Sequence, residues 1–187
     1  MSQIAIKGAT TGTGVFTLES PATNTDRTLI LPDEAGTVLT SATSGVPVNG
    51  PTFRVEKNAS QNPLSINAWN KVVWDSNETW DVGGCFDTAN NRFQPSLAGY
   101  YQINTALELS YNTGGATAWS AAFYKNGVEY GTNVYEAGSV ANITLSDMVY
   151  MNGSSDYVEV FLRPNGGSLV GVYQGSSFSA SLVRSAT

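Results

Sequence analysis

From Tyr101 to Ser110 the chain alternates without a break. Tyr101, Ile103, Thr105, Leu107 and Leu109 fall on one side, and Gln102, Asn104, Ala106, Glu108 and Ser110 on the other. A period of two sends successive side chains to opposite faces of an extended chain, so this run is a strand with one dry and one wet face. The pattern returns where Val158, Val160 and Leu162 alternate with Glu159, Phe161 and Arg163. It returns again where Phe178, Ala180 and Leu182 alternate with Ser177, Ser179 and Ser181. Turn signals punctuate these runs at Asn126-Gly127, Asn152-Gly153 and Asn165-Gly166-Gly167. No window carries a helical period. Strands with one dry face must bury it against another sheet, and an antiparallel β-sandwich follows.

Composition supports a real core and narrows the partners. Apolar residues make up 41% of the 187, enough to fold, whereas charged residues are only 13% and the net charge is −6. With no Lys/Arg cluster, an anionic backbone or membrane surface is repelled, so we expect no nucleic-acid partner. No apolar run approaches the roughly 20 residues of a membrane span, and no membrane insertion is expected. The first residues, Met1 to Lys7, lack the apolar core of a secretion signal. Cys85 is the only cysteine, which excludes an intrachain disulfide; beside Gly84 and Phe86 it reads as a small core residue. Histidine is absent altogether. That removes the Ser-His-Asp and Cys-His arrangements, the common zinc sites and the commonest general base. We expect no enzyme and no cofactor.

The chain divides by composition into an N-terminal arm (1–40), a Ser/Gly/Pro linker (41–51) and a knob (52–187). The arm holds two short apolar runs, Val15-Phe16-Thr17-Leu18 and Thr28-Leu29-Ile30-Leu31, separated by Pro21-Ala22-Thr23-Asn24. Such short strands cannot bury Phe16, Leu18, Leu29 and Leu31 within one chain. Three copies around an axis can, so these four are expected to make arm attachment and trimer contacts.

The knob resembles the jelly-roll superfamily shared by the complement q-component globular head and the tumour necrosis factor ligands. The resemblance rests on ordered pieces covering most of 53–184. Phe53-Arg54-Val55 looks like the first strand. Phe86-Asp87 through Phe93 is followed by Pro95 and by Ala98-Gly99-Tyr100-Tyr101-Gln102-Ile103. Then come Tyr124-Lys125-Asn126-Gly127, Asp156-Tyr157-Val158-Glu159-Val160 and the closing Ser177-Phe178-Ser179-Ala180-Ser181-Leu182. One departure is Ser146-Asp147, which lacks the usual glycine of a strand-opening turn. The resemblance implies an all-β, antiparallel jelly-roll β-sandwich that forms a homotrimer around a threefold axis, here preceded by a short extended β arm. Independently, Trp69, Trp74, Trp80, Trp119, Tyr130, Tyr135 and Tyr173 are more aromatics than one small core needs. A subunit interface would cover them, or several pack under loops within one subunit.

The arm carries a second resemblance. Gly12-Thr13-Gly14-Val15-Phe16-Thr17-Leu18, Arg27-Thr28-Leu29-Ile30-Leu31-Pro32 and Ala35-Gly36-Thr37-Val38-Leu39-Thr40 are similar to a segment common in bacteriophage and prophage fibres. This implies a protein of the virion surface, assembled in the host cytoplasm. Its partners would be itself and either the major capsid protein, as a decoration or cement protein, or tail proteins, as a short tail fibre or tail tip. No long coiled coil or β-helical shaft repeat is present to carry a knob away from the particle, which favours capsid decoration. A soluble q-component-like lectin or signalling module is the reading from another class.

Three further features bear on sites. The stretch Asp75-Ser76-Asn77-Glu78-Thr79-Trp80-Asp81 offers Asp75, Glu78 and Asp81 as oxygen ligands for calcium. It lacks the regular spacing and glycine of a dedicated calcium loop, and we read it as a solvated loop. Asn-x-Ser/Thr sequons at Asn58, Asn77, Asn142 and Asn152 are read as chance in a chain this rich in those residues. Adhesion to a host surface glycan would draw on aromatics near loops, with Trp119, Tyr130, Tyr135 and Tyr173 as the candidates.

Overall fold

A computed structural model describes residues 50–74, 78–110, 116, 118–137, 142–166 and 171–186, with scattered positions between 11 and 26; the side chains of Ser110 and of 132–137 are excepted. The chain divides into two units, Met1–Thr37 and Val38–Thr187. Phe16, Leu18, Leu29 and Leu31 all lie outside the described residues.

The described part of the second unit is all β. Its strands are β1 (Thr52–Glu56), β2 (Asn70–Lys71), β3 (Glu78–Val82), β4 (Phe86–Asp87), β5 (Arg92–Phe93), β6 (Gly99–Ser110), β7 (Ala118–Lys125), β8 (Val128–Ala137), β9 (Asn142–Met151), β10 (Val158–Asn165), β11 (Gly171–Val172) and β12 (Ser177–Ser185). They form two antiparallel sheets. In the first, β9, β6, β12, β1 and β3 lie side by side, and β11 pairs with the far end of β6. In the second, β8, β7 and β10 are followed by β5 and β2, with β4 outside β5. Sequence-distant strands thus become neighbours, as β1 and β12 do, and the sandwich is the expected jelly roll.

The alternating runs place their side chains as their period requires. Tyr101, Ile103, Thr105, Leu107 and Leu109 of β6 are buried, as are Val158, Val160 and Leu162 of β10. Between the sheets Phe178 is a hub. It stacks on Trp74 at 5.6 Å and meets the rings of Phe53, Phe86 and Phe123 at 5.0, 6.4 and 6.2 Å. Tyr101 joins this core through Phe93, its hydroxyl donates to the Leu97 carbonyl at 2.8 Å, and burial pushes its phenol up to about 12. Cys85 is fully buried, as its small apolar setting implied, and burial followed by the Asp81 hydrogen bond drives its thiol pKa far up.

Turn chemistry fixes the ends. Asn126 and Gly127 both take positive φ, 54° and 79°, the requirement of a two-residue hairpin turn between β7 and β8. Asn126 then donates to Asp156 Oδ1 at 2.9 Å and accepts from the Tyr157 amide at 3.0 Å, so this turn is tied to the chain entering β10.

Two local expectations are corrected. Ser146 and Asp147 do not open a strand; they sit inside β9, opposite Asn104 and Ile103. The acidic stretch is not a loop throughout, because Glu78–Val82 is β3, held at the sheet edge by β1.

Candidate functional site

The outer face of the first sheet combines few charged groups with exposed apolar ones. Register places Arg184, Tyr100 and Tyr150 in one cross-strand row. The next row reads Val82, Thr52, Ser181, Gln102 and Met148, and the one after it Trp80, Arg54, Ser179, Asn104 and Ser146. Its apolar members are exposed and stand toward the two edges: Trp80 and Val82 on β3, Tyr100, Met148 and Tyr150 on β6 and β9. Between them the face is made mostly of small uncharged polar groups, with Arg54 on β1 and Arg184 on β12 as its cations.

Those polar groups satisfy one another. Thr52 and Ser181 share a hydroxyl–hydroxyl bond at 2.8 Å. Gln102 donates to Ser146 at 2.9 Å, and Ser146 donates to Asn104 Oδ1 at 2.9 Å. The Arg54 guanidinium is neutralised by Glu56 at 2.8 Å. Covering the middle of this face costs little, because its hydroxyls and amides are paired and Arg54 is neutralised; Arg184 lies at its end, in the Tyr100 row. Two shallow clefts mark it. One, of 270 Å³, is lined by Arg54, Asn104, Thr144, Ser146 and Ser179. The other, of 260 Å³, lies between Tyr100, Tyr150 and Arg184, the two rings 5.4 Å apart.

The aromatics singled out for sugar contact do not form one site. Trp119 is 2% exposed and points into the core from β7, which leaves no ring face for a ligand. Tyr130 is partly exposed, with the Lys125 ammonium 5.9 Å from its ring centroid. The same ammonium reaches the Tyr150 carbonyl, at the β6 end that begins with Gly99. Tyr173 is exposed at the other end, its amide donating to Glu108 at 2.7 Å. Eight residues of β6 separate Tyr100 from Glu108, roughly 27 Å at strand rise, so one sugar cannot touch Tyr130 and Tyr173 together. Tyr135 belongs to β8, and its side chain lies outside the described residues.

The acidic candidates also part company. Asp75 lies outside the described residues, and Glu78 is exposed on β3. Asp81 is committed to the β3–β4 turn: Oδ1 accepts from the Cys85 amide at 2.9 Å and from its thiol at 3.2 Å, and Oδ2 from the Phe86 amide at 3.1 Å. Among the described residues no three His, Cys, Asp or Glu side chains converge as a metal site, and no helix is long and apolar enough to cross a membrane.

Reading the sequence missed a second aromatic group, on the outer face of the other sheet. Trp69 meets Tyr124 at 5.7 Å and 67°, and Tyr124 meets Phe161 at 4.2 Å and 35°. The signal was present: Phe161 occupies a wet-face position in the β10 alternation.

No protein-family model matches the chain, and no curated protein matches it in sequence. Solved structures do match its fold. The PRD1 vertex protein P5 is 16% identical with a TM-score of 0.53, the match covering 72% of this chain and 98% of that one. Murine APRIL is 8% identical with a TM-score of 0.53, covering 71% and 98%. The globular domain of zebrafish complement 1qA protein is 14% identical, covering 73% and 99%, at a TM-score of 0.48. At these identities the first two likenesses show a shared jelly-roll fold.

Proposed function

We propose that the chain is a non-enzymatic structural protein of a phage virion, a homotrimer that decorates the capsid through its arm (1–40) and turns its knob outward. The observation that carries the self-association is the outer face of the first sheet, low in charge and apolar toward its edges. Interfaces between protein subunits are enriched in Tyr, Trp and Met and poor in unpaired charge at their centres. This face carries Tyr100, Tyr150, Trp80 and Met148, and its central Arg54 is paired with Glu56. Tyr100, Met148 and Tyr150 would meet their counterparts in the other two copies, leaving the second sheet free.

The virion reading draws support from the fold shared with a phage vertex protein and from the fibre-like arm. A vertex belongs to a shell rather than to a tail, which favours decoration over the tail-tip alternative. The major capsid protein is then the partner, and a host surface glycan a second one.

The test adds purified full-length protein to virus particles that lack it, with capsids and tails separated beforehand. Decoration predicts uptake by tailless shells at many copies per particle. Uptake confined to tails would overturn it in favour of a receptor-binding fibre.

A further inference from the structure

The outer face of the second sheet carries an oddity of burial. Ala118, Ser120 and Ala122 lie on the outward side of β7, yet they are only 3%, 7% and 0% exposed. Register explains the cover: Phe161 stands opposite Ala122, and Arg163 opposite Ser120. On this face the Phe161 ring, opposite Ala122, lies against the Tyr124 ring, and Trp69 extends the layer toward β2. The result is a shelf of three half-buried rings outside the sandwich core.

Charge around the shelf is uneven. Lys71 and Glu159 neutralise each other as an ion pair at its β2 side. Glu129 stands opposite Tyr124 in β8, four strand positions from Ser120, the residue opposite Arg163. Arg163 has no carboxylate partner among the described residues, and its Nε is buried without a hydrogen bond. Arg163 is half-buried and only its Nε is enclosed without a partner, so the guanidinium stands beside the rings as a positive charge that a carboxylate ligand can pair with.

We infer that Trp69, Tyr124, Phe161 and Arg163 form a binding site for an acidic sugar, a hexuronate unit of a surface polysaccharide. The ring faces take the apolar C–H face of the pyranose, and the guanidinium fork takes the carboxylate. Apolar lining with one placed charge is the ordinary make-up of a small-ligand site. A neutral sugar would use the shelf and leave Arg163 unpaired. A nucleic acid offers phosphates and flat bases rather than a carboxylate beside an apolar C–H face. Because the net charge of −6 opposes any densely anionic polymer, the site is matched to a single uronate unit and not to a charged run. This inference rests on the reading of the knob as outward-facing, because only then is the second sheet open to a host surface.

The experiment passes full-length protein over immobilised polygalacturonate, hyaluronan and neutral dextran. The site predicts binding to at least one uronate polymer about tenfold tighter than to dextran, and about tenfold weaker binding for Trp69→Ala and Arg163→Gln. Arg163→Lys keeps the charge but not the planar fork and is expected to fall between. Circular dichroism and sedimentation mass of each variant should match the parent. Failure of both uronates to bind, equal binding to dextran, or undiminished binding by well-folded Arg163→Gln would overturn the site. Loss of uronate binding with shell uptake intact removes this site alone. Loss of shell uptake with uronate binding intact removes the decoration reading alone.

Discussion

Replacing Asp81 by Ala separates a structural carboxylate from a metal ligand. Its two oxygens accept from the amides of Cys85 and Phe86 at 2.9 and 3.1 Å, and Oδ1 also accepts from the Cys85 thiol. Cys85 is 0% and Phe86 6% exposed, so the two amides gain little from water once the carboxylate is gone. Hydrogen bonds to a charged group contribute about 1.5–3 kcal/mol each. With partial relaxation of the turn, a total loss of about 3 kcal/mol is expected. A chain of this size loses about 2–4 °C of melting temperature per kcal/mol, so the variant should melt about 6–12 °C below the parent. The assay is a thermal scan by near-ultraviolet circular dichroism at one fixed protein concentration, with and without a calcium chelator. Glu78→Ala, on the exposed edge strand, is the control and should stay within about 0.5 kcal/mol of the parent. A variant melting within about 2 °C of the parent would refute the turn-clamp argument. So would a chelator that lowers the parent's melt as far as Asp81→Ala does.

Two other perturbations follow from local geometry. Gly153 has φ of 71°, and an added Cβ there would run into the Ala98 backbone, so Gly153→Ala should cost more than about 3 kcal/mol. Gly84 also has positive φ but open space around it, so Gly84→Ala should cost only about 1–2 kcal/mol; equal urea midpoint shifts for the two would refute the clash. Desolvation raises Asp156, but hydrogen bonds from Asn126, Lys125 and the Asn152 amide, with the Lys125 charge, outweigh it and hold the carboxyl below 3.8. A lowered folded pKa stabilises the fold above the unfolded value and loses that contribution as pH falls through the folded one. Asp156→Asn should therefore narrow the gap in unfolding free energy between pH 7 and pH 3, and an unchanged gap would contradict the assignment.

What the sequence made legible depended on whether a strand has one dry face. β6 and β10 do, and their alternation alone places Tyr101, Ile103, Leu107, Val158 and Val160 in the core. β7 does not: Ala118 through Phe123 are buried on both sides, the outward Ala122 standing opposite Phe161 and Ser120 opposite Arg163. With no period to read, the inward Trp119 was indistinguishable from the partly exposed Tyr130. β3 failed for the opposite reason. Four of its five residues are exposed, and it is a strand only through its pairing with β1, a long-range contact that local pattern does not carry. The outer face of the first sheet was half visible: its serines, Gln102 and Asn104 were assigned to wet faces. That Tyr100, Met148 and Tyr150 gather along one edge emerged only from the β6–β9 register. The Trp69–Tyr124–Phe161 shelf likewise assembles from three strands or their flanks, far apart in the chain.

Sedimentation equilibrium of the full-length chain tests the central claim most directly, because decoration as proposed needs three copies joined through the first sheet. The account predicts a single species of about three times the 19.8 kDa chain mass at micromolar concentration, falling toward one chain mass when Tyr100 and Tyr150 are both replaced by Glu. A parent protein that sediments as a monomer would contradict it.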